Sequence, residues 1–200
     1  MITALVAGFA MVSAFAAPPT ACPRMGSPAS ASQPTVDYAG VRYAFCCGGC
    51  PEAFAKDPKK GIASERSKGK VIGTSLHDPV ARIRVNEKGS AGSAEHNGVR
   101  YFFLTKQNLE TFKQSPAKFS KVPAKDVLTC PVSGETIDNY ARAYAYVDQG
   151  DTRYYVCCAH CFPQVDKDPA KFITKMKAKP VAPKAFTLAP GKDVQPEVHE

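Results

Sequence analysis

Eight cysteines fall into two sets of four with one pattern, a single cysteine and then a Cys-Cys-x-x-Cys cluster: Cys22 ahead of Cys46, Cys47 and Cys50, and Cys130 ahead of Cys157, Cys158 and Cys161. Four thiolates converging on a point suit a soft d¹⁰ cation, because sulfur is a soft donor and a closed tetrahedral shell holds zinc at about 2.3 Å per bond. Copper(I) is satisfied by two or three. All eight are therefore candidate metal ligands, and the duplication predicts two ions per chain, zinc or copper(I). Cys47 and Cys50 flank a tight turn entering a helix, where free backbone N–H groups stabilise thiolate charge. Cys46 and Cys50 are four apart and share a face if the helix starts early, so spacing leaves open which of Cys46 and Cys47 is the better ligand.

Two other chemistries compete for the same residues. An even cysteine count in an exported chain suits a disulfide scaffold, in which four cysteines allow three pairings, one of them a strained vicinal bond between Cys46 and Cys47. Cys47-Gly48-Gly49-Cys50 and Cys158-Ala159-His160-Cys161 also have the form of a thiol-disulfide pair, but the βαβ pattern of such enzymes is absent. His160 lies inside its cluster as a second ligand, a proton shuttle or a turn residue, and Gly49 takes its place in the first set. His77, His96 and His199 share no spacing. No Ser-His-Asp set, paired carboxylates or phosphate loop is present, so no enzymatic activity is expected.

The residues that position the cysteines recur three times. Gly40-Val41-Arg42-Tyr43-Ala44-Phe45 returns 58 positions on as Gly98-Val99-Arg100-Tyr101-Phe102-Phe103, with Phe54, Pro58 and Lys60 returning as Phe112, Pro116 and Lys118. A third copy, shifted by 111, repeats Tyr43, Cys46, Cys47, Cys50, Asp57, Pro58, Lys60 and Ile62 as Tyr154, Cys157, Cys158, Cys161, Asp168, Pro169, Lys171 and Ile173. Each copy opens on a Pro-containing turn, at Cys22-Pro23, Asp78-Pro79 and Cys130-Pro131. In the middle copy Asp78, Leu104, Thr105 and Asn108 stand where the others carry cysteine, which makes it a spacer or an interaction module.

The pattern predicts an α+β chain of three small repeated units, each a β-hairpin followed by short helices. Strands are expected at 41–45, 99–104 and 153–156, with upstream partners near 35–38, 82–85 and 143–147. Short helices follow, with Pro51 in a first turn, Phe54, Phe112 and Val165 facing inward, and Asp57-Pro58 and Asp168-Pro169 opening a second helix as N-cap and first residue. Tyr43, Tyr101 and Tyr154 read as core or as cover for the site. The units span 20–66, 74–122 and 127–177, and units of that size seldom bury enough apolar area to fold alone. Residues 68–70, 89–92 and the Pro- and Lys-rich tail 178–200 read as flexible.

The order Cys-Pro, Gly-x-x-Tyr-x-Phe-Cys, Cys-x-x-x-Phe-x-x-Asp-Pro resembles the YHS and TRASH type domains. That resemblance covers 22–62 and 130–173, with a cysteine-free version at 77–119. It implies treble-clef-like metal modules tied to heavy-metal sensing, trafficking and resistance. The implied ligands are Cys22, Cys46 and Cys50, and Cys130, Cys157 and Cys161. Cys47 and Cys158 then either complete a tetrahedral site or remain spare thiols for handing metal onward. The family's His has no clear counterpart here, which leaves the metal's identity open.

Residues 1–16 carry no charged side chain and end in Ala14-Phe15-Ala16, the form of a signal-peptide cleavage site without the usual N-terminal Lys or Arg. An exported, periplasmic or secreted protein is expected. The apolar stretch is shorter than the roughly 20 residues a bilayer needs, so membrane attachment is expected only through an uncleaved N-terminus. The net charge of +8 comes from scattered Lys and Arg with no basic stripe interleaved with aromatics, which reads as a solvated surface and not as a nucleic-acid footprint. The expected partners are metal ions and a protein that donates or accepts them.

Overall fold

The computed structural model describes residues 18–66 and 68–192; the expected signal segment and the end of the tail lie outside the described residues. Three hairpins organise the chain: β1 (Thr35–Tyr38) with β2 (Val41–Tyr43), β4 (Gly92–His96) with β5 (Val99–Phe103), and β7 (Ala145–Gln149) with β8 (Thr152–Val156). The two-residue turns explain them. Ala39-Gly40 and Asn97-Gly98 have positive φ at both positions (51° and 77°, 48° and 73°), the twist-matched geometry that closes tight hairpins. Gly150 supplies a single positive φ of 62° in the third.

Each hairpin carries the same cross-strand ion pair. Asp37 takes Arg42 at 2.9 and 3.0 Å, Glu95 takes Arg100 at 3.0 and 2.7 Å, and Asp148 takes Arg153 at 2.8 and 2.9 Å. Residues facing each other across an antiparallel pair interact most strongly when their charges oppose. A helix pair follows each hairpin: α1 (Cys50–Lys56) and α2 (Pro58–Arg66), α3 (Lys106–Gln114) and α4 (Pro116–Phe119), α5 (Phe162–Lys167) and α6 (Pro169–Ile173). Asp57 and Asp168 accept from Lys60 N and Lys171 N at 3.1 and 3.2 Å, so the Asp-Pro steps cap their helices as expected. Phe54 and Phe112 sit under their strands, with ring centroids 4.9 Å from Tyr43 and 5.0 Å from Tyr101. Val165 fills the same position in the third copy and is fully buried.

The hairpins join into two sheets. The larger runs β4-β5-β3-β2-β1-β9, where β3 (Gly73–Ser75) lies antiparallel to β2 and parallel to β5, and β9 (Ala185–Leu188) closes the β1 edge. The smaller runs β6-β8-β7, with β6 (Lys125–Val127) parallel to β8. The first two copies thus share a sheet and a core, while the third builds its own around Tyr140, Val147, Tyr155 and Val156.

Four expectations are corrected. The partner of β5 is β4 and not 82–85, because the Asn97-Gly98 turn fixes the register immediately upstream; residues 82–84 instead lie along the third copy, with Ile83 bridging Ala145 and Arg84 N donating to Tyr144 O at 2.7 Å. Residues 89–92 lead straight into β4 and are not a slack link. The segment after 178 is tied down: Val181 and Asp126 exchange backbone bonds of 3.0 and 2.8 Å, and β9 (Ala185–Leu188) pairs along all of β1. An otherwise open edge of β1 and the packing of Phe186 on Tyr140, 5.4 Å between centroids, favour that order. The 68–70 link is also engaged, Lys68 Nζ on Glu65 Oε1 at 2.6 Å and Lys70 Nζ on Gly26 O at 2.7 Å.

Asp126 of β6 is 3% exposed and accepts from Tyr140 Oη at 2.7 Å. Burial pushes its carboxyl up to about 6, against the pull of Tyr140 and Arg153. The fold disfavours the ionised form, so the native state holds more protons than the unfolded chain between the ordinary carboxylate range and that value. Stability is therefore greatest below the window and falls as pH rises through it, by about 2–3 kcal/mol. Asp126→Asn is expected to flatten this slope and to raise the melting temperature above that of the parent near neutral pH. Thermal unfolding at a series of pH values checks it, and an unchanged slope would assign the pH dependence elsewhere.

Candidate metal centre

Each copy begins in the same knuckle-like turn. Cys22 N donates to Ser27 O (2.7 Å) and Gly26 N to Cys22 O (2.8 Å); Cys130 N donates to Glu135 O (2.8 Å) and Gly134 N to Cys130 O (2.9 Å). Gly26 and Gly134 take φ of 66° and 76°, a conformation that glycine adopts without steric cost. The middle copy makes the turn too, with Asp78 N on Ile83 O at 2.9 Å and Arg82 N on Asp78 O at 2.7 Å, although Arg82 must accept a φ of 63°.

The turn presents its cysteine to the end of the hairpin and the start of the helix. The sulfurs of Cys22, Cys46 and Cys50 lie within 4.8 Å of one another, and so do those of Cys130, Cys157 and Cys161. Tetrahedral zinc with sulfur ligands places them about 3.8 Å apart. Cys157 and Cys161 are already 3.9 Å apart. These donor sets fit a soft cation, and a slight contraction completes the geometry. Cys47 Sγ is 2.7 Å from Cys50 Sγ but outside the mutual triad, and it is exposed. Cys158 is buried beside its cluster. All eight cysteines are free.

The electrostatics of the two triads match. Burial opposes ionisation of Cys22, yet the N–H groups of Arg24, Cys46 and Met25 hold its thiol below the usual range. Cys130 is lowered in the same way, by Cys157, Ser133 and Val132 N–H groups working against burial. Burial and the neighbouring sulfurs push Cys46, Cys50 and Cys161 up. Cys157 is pushed up to about 12, again chiefly by burial, with Ser133 Oγ at 3.5 Å pulling the other way. Each triad thus holds one favoured thiolate beside thiols whose ionisation is opposed, and in the first cluster Cys47, outside the triad, is lowered as well, chiefly by the Cys50 thiol.

The middle copy shows what fills this space without sulfur. Asp78 is fully buried. Its Oδ1 accepts from Val80 N and Ala81 N at 2.8 and 3.0 Å; its Oδ2 accepts from Leu104 N and Asn108 Nδ2 at 2.9 and 2.7 Å. Val80, Ala81 and Leu104 correspond to Arg24, Met25 and Cys46, so the same backbone donors that attend Cys22 attend Asp78. Asn108 reaches it from the position of Cys50. Thr105, at the position of Cys47, caps α3 by accepting from Asn108 N at 3.1 Å, and the helix starts earlier than α1 does. That four-bonded carboxylate was missed by sequence reasoning, as was Ser133 beside Cys157. Asp and Asn at two cysteine positions were the available signal.

The other candidates do not join a site. His160 is an exposed turn residue whose carbonyl accepts from Gln164. His77 is buried against Tyr146 and Tyr155 with Nε2 3.2 Å from Ala143 O, and His96 packs near Phe112. His199 lies outside the described residues. Tyr43, Tyr101 and Tyr154 are buried. Among the described residues no helix is long and apolar enough to cross a membrane. No family model, curated protein or solved structure matches the chain.

Proposed function

We propose that the protein binds two soft metal ions, zinc or copper(I), one at Cys22, Cys46 and Cys50 and one at Cys130, Cys157 and Cys161. The observation that carries this is the convergence of three sulfurs at each of two equivalent places. Three mutually close donors are the arrangement a shared ion requires, whereas a disulfide needs only two sulfurs in contact. The middle copy supports it from the other side, since a buried carboxylate and its donors occupy the corresponding space. Each unit reads as a treble-clef-like module of the YHS and TRASH type, made of a turn, a hairpin and a helix. An exported protein that sequesters, carries or confers resistance to metal fits such sites, with no catalysis.

The reduced protein is expected to take up two equivalents of zinc or copper(I). Cys50→Ser should abolish binding at the first site alone and leave one equivalent. Elemental analysis beside a free-thiol count checks both, under exclusion of oxygen. One equivalent in the parent would mean a shared site, and none would leave the thiols to redox chemistry.

A further inference from the structure

The two clusters differ most in the exposure of one cysteine. Cys47 is exposed, as are Gly48 and Gly49 beyond it, and a side chain built on Gly49 would meet no atom within 4 Å. Its counterpart Cys158 is 7% exposed. The helix after Cys158 is also braced from the middle copy, where Arg82 pairs with Asp166 at 2.7 Å and stacks 5.7 Å from the centre of the Phe162 ring. The helix after Cys47 carries an exposed Glu52–Lys56 pair of 3.1 Å on its own surface. Cys47 Sγ is 2.7 Å from Cys50 Sγ, so a bond between them needs little motion.

We propose that Cys47 and Cys50 form a thiol-disulfide switch that releases the ion of the first site while the second site keeps its own. The inference rests on the metal-binding reading above. The oxidant is a low-molecular-weight disulfide. Cys47 Sγ attacks one of its sulfurs, the S–S bond breaks, the proton of Cys47 goes to the departing thiolate, and a mixed disulfide remains. Cys50 Sγ then leaves the ion and attacks Cys47 Sγ; the mixed bond breaks and the second thiolate departs, taking a proton from solvent. Two electrons pass from the cysteine pair to the oxidant, giving one Cys47–Cys50 disulfide and two small thiols. The ion, unchanged in charge, is left with Cys22 and Cys46 and dissociates. Thiol access governs such exchange, which makes buried Cys158 slow to start it.

The test uses the full chain loaded with zinc, oxidised glutathione and a colorimetric zinc chelator. One of the two equivalents is expected to leave first, together with a disulfide that peptide mass spectrometry maps to Cys47 and Cys50. In Cys47→Ser, whose zinc content is measured before oxidant is added, the fraction released per unit time should fall at least about tenfold. Release of both ions at one rate, a disulfide at any other pair, or parental release from Cys47→Ser would each overturn the switch. Failure to take up zinc at all, seen before oxidation begins, defeats the metal-binding reading itself and is separate from these results. The mapped disulfide decides the matter even where the variant folds poorly.

Discussion

Chelation of the metal-loaded protein is expected to expose amide protons around Cys22 and Cys130 and in α1 and α5, while α3 and β5 of the middle copy stay protected. A structural zinc site contributes on the order of 10 kcal/mol to the fold that holds it, so protection there should fall by about 100-fold or more. The middle copy has no such term to lose. Asp78 and its four donors do the joining that the cysteines and the ion do elsewhere, and Phe112 keeps its contacts with Tyr101 and Phe103. Hydrogen exchange with and without chelator measures this. Because β3 links β2 to β5 within one sheet, the opposite outcome has a clear meaning: equal loss in all three copies would make the first two hairpins a single cooperative unit propped by metal.

Much of the site was legible because cysteine is rare and its spacing survives translation into geometry. The same is true of the first two hairpins, whose Gly-Val-Arg-Tyr runs carry turn, β-branched strand and core aromatic in four residues. Legibility failed where partners are chosen by tertiary structure. Three-residue strands such as β3 and β6 have no period to read, and their parallel pairing with β5 and β8 depends on where the hairpins have already gone. Ala185–Leu188 alternates weakly amid Pro and Lys, and it became β9 because β1 offers an edge beside Tyr140. Residues 82–85 look like a strand, but the Asn97-Gly98 turn commits β5 to the residues just before it. Asp37, Glu95 and Asp148 recur in register with the Arg residues without a fixed identity, so the threefold ion pair shows only once the strands are aligned. The exposure that sets Cys47 apart from Cys158 is likewise a property of packing, since both lie in the same Cys-Cys-x-x-Cys string.

Truncation of Asp78 to Ala is expected to cost about 3–5 kcal/mol, because it removes a fully buried carboxylate and with it the acceptor of the Val80, Ala81 and Leu104 amides and the Asn108 carboxamide. Asp78→Asn should cost less, about 1–3 kcal/mol, since one oxygen still accepts while an NH₂ group now faces backbone donors. Chemical denaturation followed through the middle copy measures both. The stronger demonstration is constructive. Asp78→Cys with Leu104→Cys and Asn108→Cys places sulfur at the three positions that correspond to Cys22, Cys46 and Cys50, on a turn and helix already built like theirs. Metal content should rise from two equivalents to three, and stability lost through the missing carboxylate should return only when zinc is present. A triple variant that folds, shows three added free thiols and still binds two equivalents would mean that the donors around Asp78 do not reproduce the geometry of the cysteine sites, and the three copies would share a backbone without sharing a metal-binding design.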